Sequence, residues 1–412
     1  MLNIRLRFSG PAGGLSYARA AVRTVEAGSP LSGSILWRLV PPDAVDIRPG
    51  AGTRAAQAVL AWAQASEDVD SDAVIDVVEL SAGGGECSRE LANALFADGA
   101  SRFRLVVTDP DQRTAELLAR DKVLRPHIRA GRVDVARFDP ALDPLVATIT
   151  RGDNVVPGLS DNPLVVVSHG DLGRRPADLL RFDMGRMQEA LVMLTGPMSI
   201  PDPPRTRHLS RLLLEWRWRA VDSSSYQDDR IRSAVEDIAE ELDEGAVPIP
   251  IGAVHAIDRL RSLAANRLLL VAEEGGSDVL EELVVPEAPS DGIALPTNLV
   301  ALAHAVRETG GQVATQRSGE GVAALVASFG LTTADLSGIA SLWEPTGEPA
   351  SASFRLEAAN PMPLLDLPLN EPCSLSVEQR TQVQASLASL RRLLQEPDLS
   401  ARIDAWLASS RG

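Results

Sequence analysis

The residues best placed to do chemistry in this chain are Glu79-Leu-Ser-Ala-Gly-Gly-Gly85. They follow an apolar run, Ala73–Val78, that reads as a buried strand, and precede Cys87–Phe96, which reads as a helix closed by Gly99. Strand, glycine loop and helix start together bring bare backbone N–H groups against a nucleotide-like ligand. Further along, Asp109 ends a second strand, Phe103–Thr108. A carboxylate there can accept hydrogen bonds from ribose hydroxyls. The pair points to a dinucleotide or an S-adenosylmethionine (SAM) site. Each part also has a plainer use: three glycines make a tight turn, and Asp109 can cap the helix after Pro110.

Three more polar residues end strands. Asp139 follows a short third strand, Arg132–Ala136, although Pro140 beside it also fits a turn. His169 and Asp171 follow a fourth strand, Leu164–Val167, within Ser168-His-Gly-Asp-Leu-Gly-Arg-Arg-Pro176. In open α/β sheets ligands gather beyond the carboxyl ends of the strands. His169 and Asp171 are therefore the candidates for a substrate pocket, and His169 could orient or deprotonate a nucleophile or simply cap its strand. His127, His208, His255 and His304 fall on helices or their edges and read as structural. No His/Cys/carboxylate group has metal-ligand spacing, so no metal is expected. There is no Gly-x-x-x-x-Gly-Lys-Ser/Thr loop, which argues against a P-loop NTPase.

Several elements must position these residues. Residues 1–70 form a preface whose helix, Thr53–Ala65, should lie against the first core strand. A Rossmann-like α/β core covers 71–345. Its fifth strand is Arg267–Ala272, and about one hundred residues separate strands four and five, more than a crossover needs. They predict a mostly helical insertion, 180–250. It opens with a hairpin turning near Asp183–Gly185 and continues with helices over His208–Val221 and Asp229–Asp243. Val254–Leu263 leads as a helix into strand five. Beyond it come a helix over Pro296–Thr309, a strand over Gln312–Gln316 and a helix over Val322–Phe329. Residues 346–412 read as a linker and C-terminal helices, Ser376–Gln395 and Leu399–Leu407, that cover the core.

Composition bounds the partners. The 412 residues carry a formal net charge of −16, which disfavours nucleic acid, because phosphate neutralisation needs a basic surface. Of 40 Lys and Arg residues only Lys122 is a lysine, so arginine runs reflect composition rather than a site. The two cysteines, Cys87 and Cys373, match no disulfide framework or zinc spacing. No window is apolar enough to span a membrane, and the N-terminus lacks a secretory signal. A cytoplasmic protein is the expectation.

The order of elements resembles the MidA-like SAM-dependent methyltransferases, a group that includes the mitochondrial complex I assembly arginine methyltransferase. It also resembles the methyltransferase-like segment of bacterial tetratricopeptide proteins. Four stretches carry the likeness: Val77–Glu86, Leu164–Leu194 with Pro176-Ala-Asp178 and Glu189, Val247–Val254, and Leu295–Ala303 followed by Gly310-Gly311. The first is specific to SAM; the others are fold-level. The resemblance implies SAM as cofactor. Glu79 would meet its amino-acid end, and Ser81, Gly83 and Gly85 would admit the methionine. Asp109 would hold the ribose and Asp139 would lie near the adenine amino group. His169 and Asp171 would face a methyl acceptor. That acceptor would be a protein or peptide side chain, an arginine nitrogen included, or a small molecule. A homodimer is compatible with this reading.

This chain also departs from the family. Ser81 stands where the relatives carry a glycine. Aligned on Pro176, His169 and Gly173 stand where they carry asparagine and aspartate, and Asp171 is two places from the missing acid. After strand five the chain reads Glu273-Glu-Gly-Gly276. The departures concentrate on the acceptor side. They leave open a non-catalytic scaffold or assembly partner. A nicotinamide-dependent oxidoreductase is disfavoured because the spacing is not G-x-G-x-x-G.

Overall fold

The computed structural model describes residues 50–97, 102–143, 146–150, 154–155, 161–196, 213–285, 295–319, 321–332 and 335–344. It also describes three short strands near the start, β1 (Leu2–Arg7), β2 (Val22–Thr24) and β3 (Pro30–Leu31). In chain order there follow α1 (Ala51–Ala65), β4 (Ile75–Leu80), α2 (Glu86–Leu95), β5 (Phe103–Asp109), α3 (Gln112–Leu118), α4 (Arg125–Arg129), β6 (Val133–Arg137), β7 (Val146–Thr148), β8 (Asn154–Val155) and β9 (Leu164–His169). Next are β10 (Asp178–Asp183), β11 (Arg186–Gly196), β12 (Leu213–Val221), α5 (Asp229–Glu241), β13 (Glu244–Ile249), α6 (Ile251–Leu263) and β14 (Leu268–Ser277). The last are β15 (Thr297–Asn298), α7 (Leu299–Glu308), β16 (Gln312–Gly319), β17 (Val322–Phe329) and α8 (Leu336–Ala340).

The main sheet has the order β16-β17-β14-β9-β4-β5-β6-β7-β8. Strands β6, β5, β4, β9 and β14 are parallel neighbours, whereas β17 runs antiparallel between β14 and β16. The winding reverses between β4 and β9, which makes their carboxyl ends a topological switch point. This is the Rossmann-like class I methyltransferase sheet expected from the sequence. Its central strands are short β-branched runs because both faces are covered. Alternate residues feed two cores: Val77, Leu105, Val165 and Leu269 pack under α1 and α2, while Val78, Val106, Val166 and Leu270 pack under α5, α6 and α7.

Four expectations need correction. The insertion is not mostly helical. Strands β10, β11, β12 and β13 build an antiparallel sheet that also takes in β1, with α5 and α6 as its helices. The His208–Val221 helix is in fact strand β12 over Leu213–Val221, zipped along β11. The Val322–Phe329 helix is strand β17: an apolar run broken only by Ser328 carries no period and takes the state its neighbours impose. Helix α1 does form, but it packs chiefly on α2, and then on β14, α8 and Ser341–Trp343, rather than on the first core strand. The hairpin turns as expected at Met184-Gly185, both in the left-handed region. The C-terminal helices, Ser376–Gln395 and Leu399–Leu407, lie outside the described residues. Among the described residues no helix is long and apolar enough to cross a membrane.

Candidate functional site

The glycine loop leaves β4 at the switch point. Ser81, Gly83 and Gly85 all take positive φ, 49°, 53° and 74°. The turn is tied to β5: Ala82 N–H donates to Thr108 O at 2.9 Å, and Gly83 N–H donates to Asp109 Oδ2 at 3.0 Å. Asp109 Oδ1 accepts from Asp111 N–H at 2.9 Å, and the helix cap that the sequence allowed Asp109 is made by Asp111 instead. A Cβ on Gly84 would meet nothing within 4 Å, and one on Gly83 only the Ser81 carbonyl at 3.9 Å. Gly85 differs, because a Cβ there would sit 2.6 Å from Leu118 Cδ2. The loop is thus closed at its helix end and open above its middle.

Glu79 ends β4 beneath this opening. It is buried, and its Oε2 has no hydrogen-bond partner. Burial pushes its carboxyl up to about 7; the Ser88 hydroxyl opposes the rise and the nearby Asp109 carboxylate adds to it. Burial likewise raises Asp109 above the usual carboxylate range, against the two backbone N–H groups it accepts. Two desolvated carboxylates side by side are costly without a cation or donors between them.

Asp139 and Asp171 are joined by a residue the sequence reading passed over. Arg175 Nε donates to Asp171 Oδ2 at 2.7 Å, and Arg175 Nη1 donates to Asp139 Oδ1 at 3.3 Å. The Ser81 hydroxyl donates to the other Asp171 oxygen. Asp171, expected to face the acceptor, is instead fully buried with both carboxylate oxygens engaged. It braces the loop. Asp139 keeps its place after β6, with Oδ1 shared between Arg175 and Ala141 N–H.

His169 ends β9, in register with Glu273 on β14. Neither ring nitrogen has a hydrogen-bond partner, and burial, with the Arg54 charge, lowers its pKa to about 4. The imidazole is therefore neutral and able to accept a hydrogen bond. Glu273 is held by a bidentate Arg54 from α1 and by the Trp343 indole N–H at 2.6 Å. Glu274 accepts from the Ser168 hydroxyl and from the N–H groups of Leu172 and Gly173. A side chain at Gly173 would collide with Thr297, whose Oγ1 lies 2.1 Å from the Cβ position, and would come within 3.4 Å of Glu274 Oε2. The space for an acid at that place is already filled from β14 and β15.

The structure therefore gathers Glu79, Ser81, Gly83, Gly85, Asp109 and Asp139 along the carboxyl ends of β4, β5 and β6, with His169 and Asp171 beyond β9. Arg175, Glu273, Glu274, Arg54 and Trp343 were missed. The two glutamates were findable, since they follow the apolar part of their strand as Glu79 follows that of β4. Among the described residues no group of His, Cys, Asp and Glu could hold a metal ion.

No protein-family model and no curated protein matches the chain. Among solved structures, an uncharacterised protein from Burkholderia thailandensis is 15% identical with a TM-score of 0.45, over 74% of this chain and 88% of its own. A protein of the same superfamily and organism, bound to S-adenosyl-homocysteine, is 17% identical with a TM-score of 0.46, over 72% and 80%. A SAM-dependent methyltransferase from Aquifex aeolicus is 10% identical with a TM-score of 0.32, over 71% and 96%. These are resemblances only; the fold assignment rests on the strand order and directions given above.

Proposed function

We propose that this chain is a SAM-dependent methyltransferase. The observation that carries the reading is the open glycine loop between Glu79 and Asp109 at the switch point. Glu79 has a buried, unpartnered oxygen suited to an ammonium group. Asp109 sits at the ribose position, with its oxygens fixed by Gly83 and Asp111. The open space over Gly83 and Gly84 admits a chain between them. An aminoacyl-nucleoside carries all three complements, and SAM is that ligand with an activated methyl group.

SAM, when bound, supplies that methyl on a sulfonium. The chain's residues contribute binding and orientation, which account for most of the rate when the donor is already activated. Glu79 holds the amino-acid end, Asp109 the ribose, and Asp139 the adenine side. His169 lies beyond β9, where an acceptor would approach, and is neutral, so it can take the proton an acceptor nitrogen or oxygen sheds. Strands β10, β11, β12 and β13 with α5 would form the wall that selects the acceptor, a protein or peptide side chain or a small molecule. A second reading, a cofactor-binding protein without turnover, is favoured by the burial of Asp171 and of His169, which is only 6% exposed.

The test is calorimetric titration with SAM and with S-adenosyl-homocysteine, comparing wild type with Asp109→Ala. Micromolar binding that is lost in the variant supports the reading. Absence of binding by folded wild type overturns it. Binding without methylation of any peptide or small-molecule acceptor favours the second reading.

A further inference from the structure

The Arg175 contacts reach further than an ordinary ion pair. Arg175 follows β9, and Asp139 follows β6. In the sheet β4 and β5 lie between those two strands, so their ends are separated by roughly 14 Å at the usual strand spacing. Arg175 spans that gap with its loop and side chain, crossing the carboxyl ends of the strands that carry the glycine loop and Asp109. Along the way it engages Asp171, which holds the Ser81 hydroxyl. Ser81 in turn occupies a left-handed conformation, φ 49°, that costs a non-glycine residue about 1 kcal/mol or more unless something holds it. One continuous chain, Ser81–Asp171–Arg175–Asp139, therefore connects the ends of β4, β9 and β6. Every member is a side chain with a named partner, and Arg175 and Asp171 are both buried.

We propose that Arg175 is a positioning residue for the cofactor pocket: through Asp171 and Ser81 it fixes the glycine loop, and through Asp139 it fixes the adenine side, setting the distance one ligand must bridge. The proposal rests on the SAM reading above. It explains why Ser81 is tolerated where the turn would suit glycine: the hydroxyl adds an anchor that glycine lacks. It also gives Asp171 a role that does not require contact with the acceptor. Arginine suits the task because its planar fork presents donors in fixed directions to two separated carboxylates, where a lysine offers one compact ammonium.

The experiment measures the dissociation constant for S-adenosyl-homocysteine and the melting temperature of wild type, Arg175→Met, Arg175→Lys, Ser81→Gly and the Arg175→Met/Ser81→Gly double variant. Ser81→Gly removes the hydroxyl while relaxing the backbone, so it folds even if Arg175→Met does not. The expected result is a loss of roughly tenfold or more in affinity for Arg175→Met, as for losing a charge-assisted hydrogen bond. A severalfold loss is expected for Ser81→Gly at an unchanged or higher melting temperature. Arg175→Lys should recover only part of the affinity. The double variant should lose less than the product of the two single losses, because both act on one chain. A merely structural role would lower the melting temperature and leave the affinity of the folded fraction unchanged, and that outcome, or purely multiplicative losses, overturns the proposal. Should wild type itself fail to bind, the SAM reading falls; should wild type bind and Ser81→Gly and Arg175→Met bind equally well, only the positioning role falls.

Discussion

Glu79 offers the sharpest test of the cofactor site, because its protonation and its ligand compete. Burial holds the carboxyl at about 7 against an ordinary value of 4.5, and its Oε2 has no partner in the protein. If an ammonium group binds that oxygen, binding requires the ionised form. About one molecule in ten is ionised at pH 6 and about one in a hundred at pH 5, so affinity falls about tenfold, or ~1.4 kcal/mol, per pH unit below 7. The titration is run between pH 5 and 7, where the amine of the ligand, with an ordinary value near 7.7–8.0, stays charged. Calorimetry in two buffers of different ionisation enthalpy should show close to one proton released per ligand bound at pH 6. Glu79→Gln should abolish both the slope and the proton release. Without ligand the sign reverses. A carboxyl whose folded pKa is raised stabilises the fold most below the unfolded value, so this contribution is complete below pH 4.5 and is lost as pH rises through 7, by ~3 kcal/mol. Glu274 is also pushed up to about 7 by burial, with Asp171 adding to the rise against the donors it accepts. Glu274→Gln should therefore alter the stability profile and not the ligand slope. A flat affinity from pH 5 to 7, or full binding by Glu79→Gln, would refute the assignment of Glu79 to the ligand.

Three further outcomes follow from the geometry. Gly84→Ala should change stability by no more than about 0.5 kcal/mol, since its Cβ meets nothing, yet weaken S-adenosyl-homocysteine binding by intruding on the opening. Gly85→Ala should cost about 2 kcal/mol in urea unfolding because φ is 74° and Leu118 stands 2.6 Å away; equal effects at the two positions would contradict the loop as described. His169→Gln should leave the dissociation constant for S-adenosyl-homocysteine unchanged and lower kcat by ~10²–10⁴, and the wild-type rate should not fall on the acid side through loss of this base until pH approaches 4; a variant of full activity removes His169 from the proton path. Asp76→Ala should destabilise by about 2–3 kcal/mol, below the range for a fully buried pair, because it strands Arg104, whose side chain is 30% exposed; denaturant unfolding at constant m-value checks this.

The sequence made the core legible because burial on both faces leaves apolar runs in β4, β5, β9 and the first half of β14, broken in β4 and β5 only by the paired Asp76 and Arg104, and because glycines and acids mark where they end. It misled at two strands. Over the predicted helix His208–Val221 the residues Leu209, Leu212, Leu213, Trp216 and Ala220 fit a helical stripe, while Leu214-Glu-Trp-Arg-Trp-Arg-Ala220, within β12, alternates just as well. The alternating aromatic pattern was the truer signal, since β11 lies ready to pair with it. In β17 the single polar residue, Ser328, set no period, and antiparallel pairing with β14 and β16 decided the outcome. The same limit explains the site. Glu79, Asp109 and the glycines belong to one strand-loop-helix unit and one neighbouring strand, so local spacing reveals them. The partnership of Arg175 with Asp139 depends on β6 and β9 being three places apart in the sheet, and strand order is not written in any local stretch. What the sequence did show, as separate oddities, was a serine in a glycine position and an aspartate two places from where an acid belongs. Folding brings Ser81 onto Asp171 and Asp171 onto Arg175, so the two oddities form one connected set.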